Sequence, residues 1–213
     1  MSRAVIVLGG SVSDYDYIRS LFKSDDFVIC ADGGLVHLQA MGISPDCWIG
    51  DMDSCSMNDE LFESLTANCE VIRLNPVKDA TDGESACDYA INKGFKEVLV
   101  TAFGGTRLDH VMCNVLLLKK FADASVDAYA VNENNRIFFA KRHNVIYNDG
   151  YDYISLLPVS DCIENVSNSG LYYSLDNENL SKYSSRGLSN VFVEEKCTVD
   201  IGKGDAIIIL SKD

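Results

Sequence analysis

Six short apolar runs rich in β-branched residues, separated by stretches of helical character, constrain this chain more than any other feature. They are AVIVL (4–8), FVICA (27–31), CWIG (47–50), EVIRL (70–74), EVLVTA (97–102) and SVDAYAV (125–131). Runs this short and this uniformly apolar read as strands buried on both faces, and strands alternating with helices pair in parallel through βαβ crossovers. YDYIRSLF before the second run and LVHLQAMG after it are two of the helical stretches, the latter closed by Gly42 and Pro45. In sheets of this kind ligands bind beyond the carboxyl ends of the strands.

After about residue 131 the pattern changes to short or alternating apolar runs, RIFFA, YDYISLLPV and GLYYSL among them, broken by Asn, Asp, Gly and Ser turns. No helix is expected there, and DAIIIL (205–210), entered through Gly202-Lys203-Gly204, is expected to be the last strand. The fold class is therefore α/β: residues 1–131 form a parallel-sheet α/β domain, and residues 132–213 form a C-terminal all-β sandwich.

Composition narrows the function. With 32 acidic against 18 basic residues the formal charge is -14, and no Lys/Arg run interrupts it. A nucleic-acid partner, which needs a basic face for phosphates, is excluded as an expectation. The N-terminal apolar run is too short for a secretory segment and no stretch is long enough to span a membrane, so no membrane partner is expected. The 8 cysteines, Cys30, Cys47, Cys55, Cys69, Cys87, Cys113, Cys162 and Cys197, form no Cys-x-x-Cys pair. They read as free thiols in a reducing, cytoplasmic setting rather than as zinc ligands or a disulfide framework.

The chemistry gathers at four places. In IGDMDS (49–54) an extended backbone would aim Asp51 and Asp53 to one side, their Cα atoms ~6.5 Å apart, so that both carboxylates converge on one ion. All-oxygen ligation completed by substrate phosphates suits Mg²⁺; an Asx turn after a strand is the structural alternative. In KDATDGESACDYA (78–90) Thr81 and Glu84 have capping-box spacing, Ala86, Tyr89 and Ala90 make a buried stripe, and Gly94 is the stop. Asp82 either serves the helix dipole there or binds a cation, while Lys78 and Asp79 at the mouth of the loop suit metal and phosphate.

In FGGTRLDHVMCNVLLL (103–118) the spacing predicts a helix from near Arg107 with Leu108, Val111, Met112, Val115 and Leu116 buried. Gly104-Gly105 lets the chain turn sharply and leaves N–H groups for an anion, and Arg107 adds a planar donor fork. Asp109 beside such a site binds metal, accepts a proton or stabilises the first turn; His110 and Asn114 read as packing or supporting groups. In ADGG (31–34) Asp32 caps a helix or hydrogen-bonds a nucleotide or a substrate cation. Neither G-x-G-x-x-G nor G-x-x-x-x-G-K-[ST] occurs, which disfavours dinucleotide dehydrogenases and P-loop enzymes.

Taken in order, ADGG, GDMDS, KDATD and GTRLDH resemble the signature set of the thiamin pyrophosphokinase family, and GLYYSLDNENLSKYSSRGLSN (170–190) is similar to that family's segment ending in Ser-Asn. The resemblance implies transfer of a pyrophosphoryl group from ATP to thiamin, an N-terminal nucleotide-binding catalytic domain and a C-terminal thiamin-binding sandwich. It also implies a homodimer with active sites between the nucleotide domain of one subunit and the sandwich of the other. By matching motif, Asp51, Asp53 and Asp82 would hold Mg²⁺, with Asp109, Arg107 and Asp82 catalytic and Asp32 in the same acidic cleft. Asp32, Gly33, Gly34, Lys78, Asp79, Gly105 and Arg107 would line the nucleotide site, and Ser185, Ser189 and Asn190 the thiamin site. Gly83 after Thr-Asp and Val191 after Ser-Asn depart from the family's common residues. The rival readings are a non-catalytic thiamin or nucleotide sensor, which would tend to lack Asp51, Asp53 or Asp109, and a metal-dependent D-x-D phosphatase or glycosyltransferase.

Overall fold

The first four residues of regular structure, Ala4–Val7 (β1), have no exposed atom to speak of, which is possible only for a strand paired on both sides and covered on both faces. The structure is a computed structural model and describes residues 3–51, 59–75, 77 and 79–213; the chain divides into two units, Met1–Glu133 and Asn134–Asp213.

In the first unit β1 pairs in parallel with β2 (Phe27–Ala31) and β5 (Glu97–Thr101). Beyond β2 lie β3 (Cys47–Gly50) and β4 (Glu70–Arg73), and beyond β5 lies β6 (Asp127–Val131), all parallel, so the order is β4-β3-β2-β1-β5-β6. The chain runs outward from β1 to β4 and then returns to the other side of β1, making the carboxyl end of β1 a topological switch point. On one face Val5, Val7, Cys30, Trp48 and Leu99 share a core with Ile18, Leu35, Leu38 and Phe62 of α1 (Tyr15–Ser20), α2 (Leu35–Met41) and α3 (Asp59–Thr66). The helices α4 (Asp82–Lys93) and α5 (Leu108–Asp123) pack together and bury Ala86, Cys87, Ala90, Leu117, Leu118 and Phe121.

Local signals place the helix ends. Thr81 Oγ1 accepts the Glu84 amide at 3.1 Å, and α2 and α4 both stop at left-handed glycines, Gly42 (φ 65) and Gly94 (φ 82). The expected buried face of α5 needs correction: Leu108, Met112 and Leu116 are 72%, 65% and 47% exposed, while Leu117, Leu118 and Phe121 are buried. This helix has apolar stripes on two nearly opposite sides, and periodicity alone does not tell which one the sheet covers.

In the second unit β13 (Ala206–Ser211) lies between β7 (Asn135–Phe139) and β9 (Tyr153–Pro158), antiparallel to both. A second antiparallel group runs β11-β10-β12-β8, from β11 (Glu178–Ser181) through β10 (Cys162–Ser169) and β12 (Lys196–Lys203) to β8 (His143–Tyr147). Ile154, Leu156 and Ile208 from the first group and Ile163, Val166, Cys197, Val199 and Ile201 from the second share one core, which makes the unit a sandwich. GLYYSL forms no strand; only a bridge between Leu171 and Phe192 pairs it, because the main chain at Tyr173 is bonded instead to asparagine side chains. No helix among the described residues is long and apolar enough to cross a membrane.

At the amino ends of the strands Arg3 gathers three elements. Its guanidinium donates to both Asp26 oxygens at 3.0 and 2.6 Å, to the Leu21 carbonyl at 2.7 Å and to the Tyr129 hydroxyl at 3.3 Å. The Arg3 and Asp26 side chains are only 8% and 1% exposed, and the pairing raises the guanidinium's proton affinity further. Breaking a pair this buried strands one charge at a cost of about 3 kcal/mol. Arg3→Ala is therefore expected to lower the thermal midpoint by several degrees in a calorimetric melt, whereas Arg136→Ala, which removes a half-exposed pair with Asp149, should shift it far less.

Candidate active site

The carboxyl edge of the parallel sheet collects the acidic residues. Asp32 follows directly on β2, Asp51 follows β3, and Asp82 is the first residue of α4. One carboxylate oxygen from each lies within 4.8 Å of the others, with Asp32 buried and the other two half-buried. Oxygens bound to one Mg²⁺ at 2.0–2.1 Å stand up to about 4.2 Å apart, so a small side-chain adjustment brings this set onto a single hard cation. Asp53, the fourth acidic candidate, and Lys78 lie outside the described residues.

Backbone geometry makes the cluster possible. Asp32 opens a 3₁₀ turn, Asp32–Gly34, with a φ of 36, a conformation that Asp tolerates better than most side chains. Its carbonyl accepts the Leu35 amide and, at 3.2 Å, the indole Nε1–H of the fully buried Trp48. Gly50 is the spacer: a Cβ there would fall 2.8 Å from both Cβ and Oδ1 of Asp32. Only a residue without a side chain lets β3 end this close to the Asp32 carboxylate.

Beside the cluster the loop after β1 zips onto the loop after β5. Gly10 N–H donates to the Ala102 carbonyl at 2.8 Å and Ser11 N–H to the Gly104 carbonyl at 2.7 Å. A Cβ on Gly10 would sit 2.0 Å from the Gly104 oxygen, so this approach too requires glycine. His37 Nε2 is 2.6 Å from the Gly10 carbonyl and must carry the proton, since a carbonyl only accepts; Nδ1 faces the Tyr15 hydroxyl at 2.9 Å. Asn114 on α5 steadies the other loop by donating to the Phe103 carbonyl at 3.1 Å, and Ala102 itself is held at φ 53.

Arg107 and Asp109 are exposed and paired, Arg107 Nη2 donating to Asp109 Oδ2 at 2.7 Å. That hydrogen bond holds the Asp109 carboxyl below the usual carboxylate range and raises Arg107 in turn. Arg107 occupies the cap position of α5 and offers no side-chain acceptor to its first turn, leaving a helix end suited to an anion. Gly33 is half-buried and Gly34 buried within the turn, while Asp79 and Gly105 are exposed. At Gly83, one of the two departures, a Cβ would meet Leu8 at 3.3 Å and Asn114 at 3.5 Å, so a larger residue needs only slight give there.

In the second unit Ser185 and Ser189 are exposed, Ser189 with a φ of 52 and its N–H donated to Ser155 Oγ at 3.0 Å. Asn190 is buried, and its amide is spent within the protein: Oδ1 accepts the Tyr173 N–H at 2.8 Å and Nδ2 donates to the Tyr173 carbonyl at 2.7 Å. Asn168 donates to the same carbonyl at 3.1 Å. The exposed rings of Tyr172 and Tyr173 then meet edge to face, 5.0 Å apart. Trp48 and His37 escaped the motif reading, because each acts through the main chain of a motif residue or of a neighbouring loop, and Tyr15 escaped it because it acts through His37.

Known proteins carry the same arrangement of sequence. Residues 18–130 match the thiamin pyrophosphokinase catalytic domain and residues 142–204 match the thiamin pyrophosphokinase vitamin B1 binding domain. The chain is 28% identical over 211 residues to thiamine pyrophosphokinase of Bacillus subtilis, with 98% of each chain covered. The crystal structure of thiamine pyrophosphokinase from Bacillus subtilis aligns with a TM-score of 0.91 at 27% identity over 100% of both chains. That of thiamin pyrophosphokinase from Geobacillus thermodenitrificans aligns with a TM-score of 0.86 at 27% identity, covering 99% of this chain and 98% of its own. The catalytic-domain match takes in all three clustered carboxylates and the Arg107–Asp109 pair, the second match takes in the Ser-Asn segment, and the chain belongs to the thiamin pyrophosphokinase family.

Proposed function

We infer that this chain transfers the pyrophosphoryl group of ATP to the hydroxyl of thiamin, giving thiamin diphosphate and AMP. The observation that carries the reading is the Asp32, Asp51 and Asp82 cluster at the carboxyl edge of a parallel sheet in a chain of this family. The hydroxyl oxygen attacks the β-phosphorus in line; a new O–P bond forms as the bond from that phosphorus to the α,β-bridging oxygen breaks, and AMP leaves. There is little covalent chemistry for the protein to supply, so its residues position groups and balance charge.

Asp32, Asp51 and Asp82, joined by Asp53, would hold Mg²⁺. When bound, that ion neutralises phosphate oxygens and shields them from the carboxylates. Arg107 and the uncapped start of α5 receive phosphate oxygens, alongside the Gly104-Gly105 loop, Gly33, Gly34 and Lys78, while Asp79, an acceptor, serves the nucleotide site through its metal or a donor group of the nucleotide. A phosphate on Arg107 competes with Asp109 for the guanidinium, which frees that carboxylate and returns it toward its ordinary proton affinity, poised to take the hydroxyl proton late in the step. Ser185 and Ser189 would contact thiamin directly. Asn190 contributes by holding Tyr173, whose exposed face suits a planar cation. The exposed Leu108, Met112 and Leu116 stripe supports a homodimer formed on α5, and the seven described cysteines, none of them in a disulfide, are consistent with a reducing cytoplasm.

Three experiments test this reading. Purified protein incubated with thiamin, ATP and Mg²⁺ should release thiamin diphosphate and AMP in equal amounts by chromatography. Chelation of the metal should stop the reaction, and Asp82→Asn should slow it by about 100-fold or more; ADP with thiamin monophosphate would refute pyrophosphoryl transfer. Gly50→Ala pushes a methyl group against Asp32 and should raise the Mg²⁺ concentration needed for half-maximal rate by about tenfold, equivalent to about 1.4 kcal/mol. Met112→Glu places a charge in the α5 stripe and should halve the mass seen by light scattering while leaving the melting temperature of the separated chain intact; an unchanged dimer would place the interface elsewhere.

A further inference from the structure

We propose that Trp48 is a positioning residue for the carboxylate cluster: its indole N–H fixes the main chain of Asp32 and thereby sets where the Asp32 carboxylate points. The proposal rests on the reading of that cluster as a metal site. A left-handed φ at a residue with a side chain persists only where its surroundings over-determine it. At Asp32 the determinants are visible. The carbonyl has two acceptor directions; one takes the Leu35 amide of the turn, and the other faces Trp48 Nε1 at 3.2 Å, with the Cys30 thiol a longer donor at 3.8 Å. With both directions engaged, the peptide that follows Asp32 is locked, and the direction of the Cα–Cβ bond goes with it.

The donor is itself immobile. Trp48 has no exposed surface, and its ring stands edge-on to Phe62 of α3, 5.0 Å away at 83°. A Cβ at Gly50 would lie 2.8 Å from Trp48 Cζ2 and equally close to Asp32 Oδ1, so indole, Gly50 and carboxylate are in continuous contact. A phenylalanine would fill most of this volume. Beyond the extra ring, tryptophan adds a single polar atom, and that atom meets the backbone of a carboxylate-bearing residue at the cluster rather than an unrelated carbonyl.

Trp48 is the only tryptophan in the chain, so growth on 3-benzothienylalanine replaces its N–H with sulfur at this position and nowhere else. The readout is Mn²⁺ binding to the full-length protein without nucleotide, followed by the electron paramagnetic resonance of free Mn²⁺. Both the benzothienyl protein and Trp48→Phe should bind Mn²⁺ about fivefold more weakly or worse, the range expected for losing one buried hydrogen bond. Phe62→Leu, which loosens the ring but keeps its N–H, should lower the melting temperature and weaken Mn²⁺ binding by less than the benzothienyl change does. Parent-like Mn²⁺ binding in the benzothienyl protein, with binding lost in Asp82→Asn, would overturn the positioning role while keeping the metal site. Parent-like binding in Asp82→Asn would overturn the metal reading and this proposal together. If Trp48→Phe fails to fold, the benzothienyl protein, identical in shape, decides the matter alone.

Discussion

Three carboxylate oxygens held within 4.8 Å of one another repel, and the first unit is arranged to hold them there. Backbone geometry is what brings them so close. Two adjacent parallel strands end side by side, the turn after β2 adopts a left-handed start, and β3 ends in a glycine so that Asp32 and Asp51 are not wedged apart. The third carboxylate arrives on the first turn of α4, whose cap at Thr81 fixes where the helix begins. A cation placed among the three carboxylates would relieve that repulsion without any shift of the strands beneath them. At the opposite ends of the strands, the bonds from Arg3 to Asp26, Leu21 and Tyr129 oppose such a shift.

The remaining polar groups of the motifs divide into those that stand open to solvent and those that hold the main chain beside them. Gly10, Ser11, Ala102 and Gly104 are locked to one another by main-chain bonds, and His37 with Tyr15 fastens the Gly10 carbonyl from the side. Arg107 and Asp109 instead stand in solvent and neutralise each other. In the second unit Asn190 behaves like His37: its amide reads the Tyr173 main chain as a neighbouring strand would. Residues of this holding kind carry no motif of their own, since a side chain that bonds a carbonyl twenty residues away leaves no periodic trace.

The strands of the first unit were legible because a parallel strand buried on both faces has to be apolar where it is covered, as FVICA, CWIG and the VLV of EVLVT are. Helix ends were legible at Thr81, Gly42 and Gly94, where a local hydrogen bond or a positive φ selects the residue type. The two readings that needed correction share one cause. In α5 the stripe through Leu108, Met112 and Leu116 has helical spacing whether it faces a sheet or solvent, and in GLYYSL the apolar residues look strand-like although Asn168 and Asn190 take the hydrogen bonds a partner strand would have made. Asp32 shows the same gap from the functional side. ADGG marks a strand end and the family resemblance put Asp32 in the acidic cleft, yet its distance from Asp51 and Asp82 is set only by the pairing of β2 with β3.

By itself, then, the sequence determined an α/β unit followed by a β-sandwich, the strands and helix caps of each, and the identity of the acidic and basic residues available for phosphate chemistry. Those properties depend on burial of successive residues and on hydrogen bonds spanning three or four positions, and both are written locally. Tertiary structure decided which face of α5 is covered, that Asp32 joins Asp51 and Asp82, that Arg107 is engaged by Asp109, and that Trp48 meets the Asp32 carbonyl. Each of those outcomes turns on distances of a few ångströms between segments far apart in the chain, and such distances are set only when the strands have paired and the helices have closed over them.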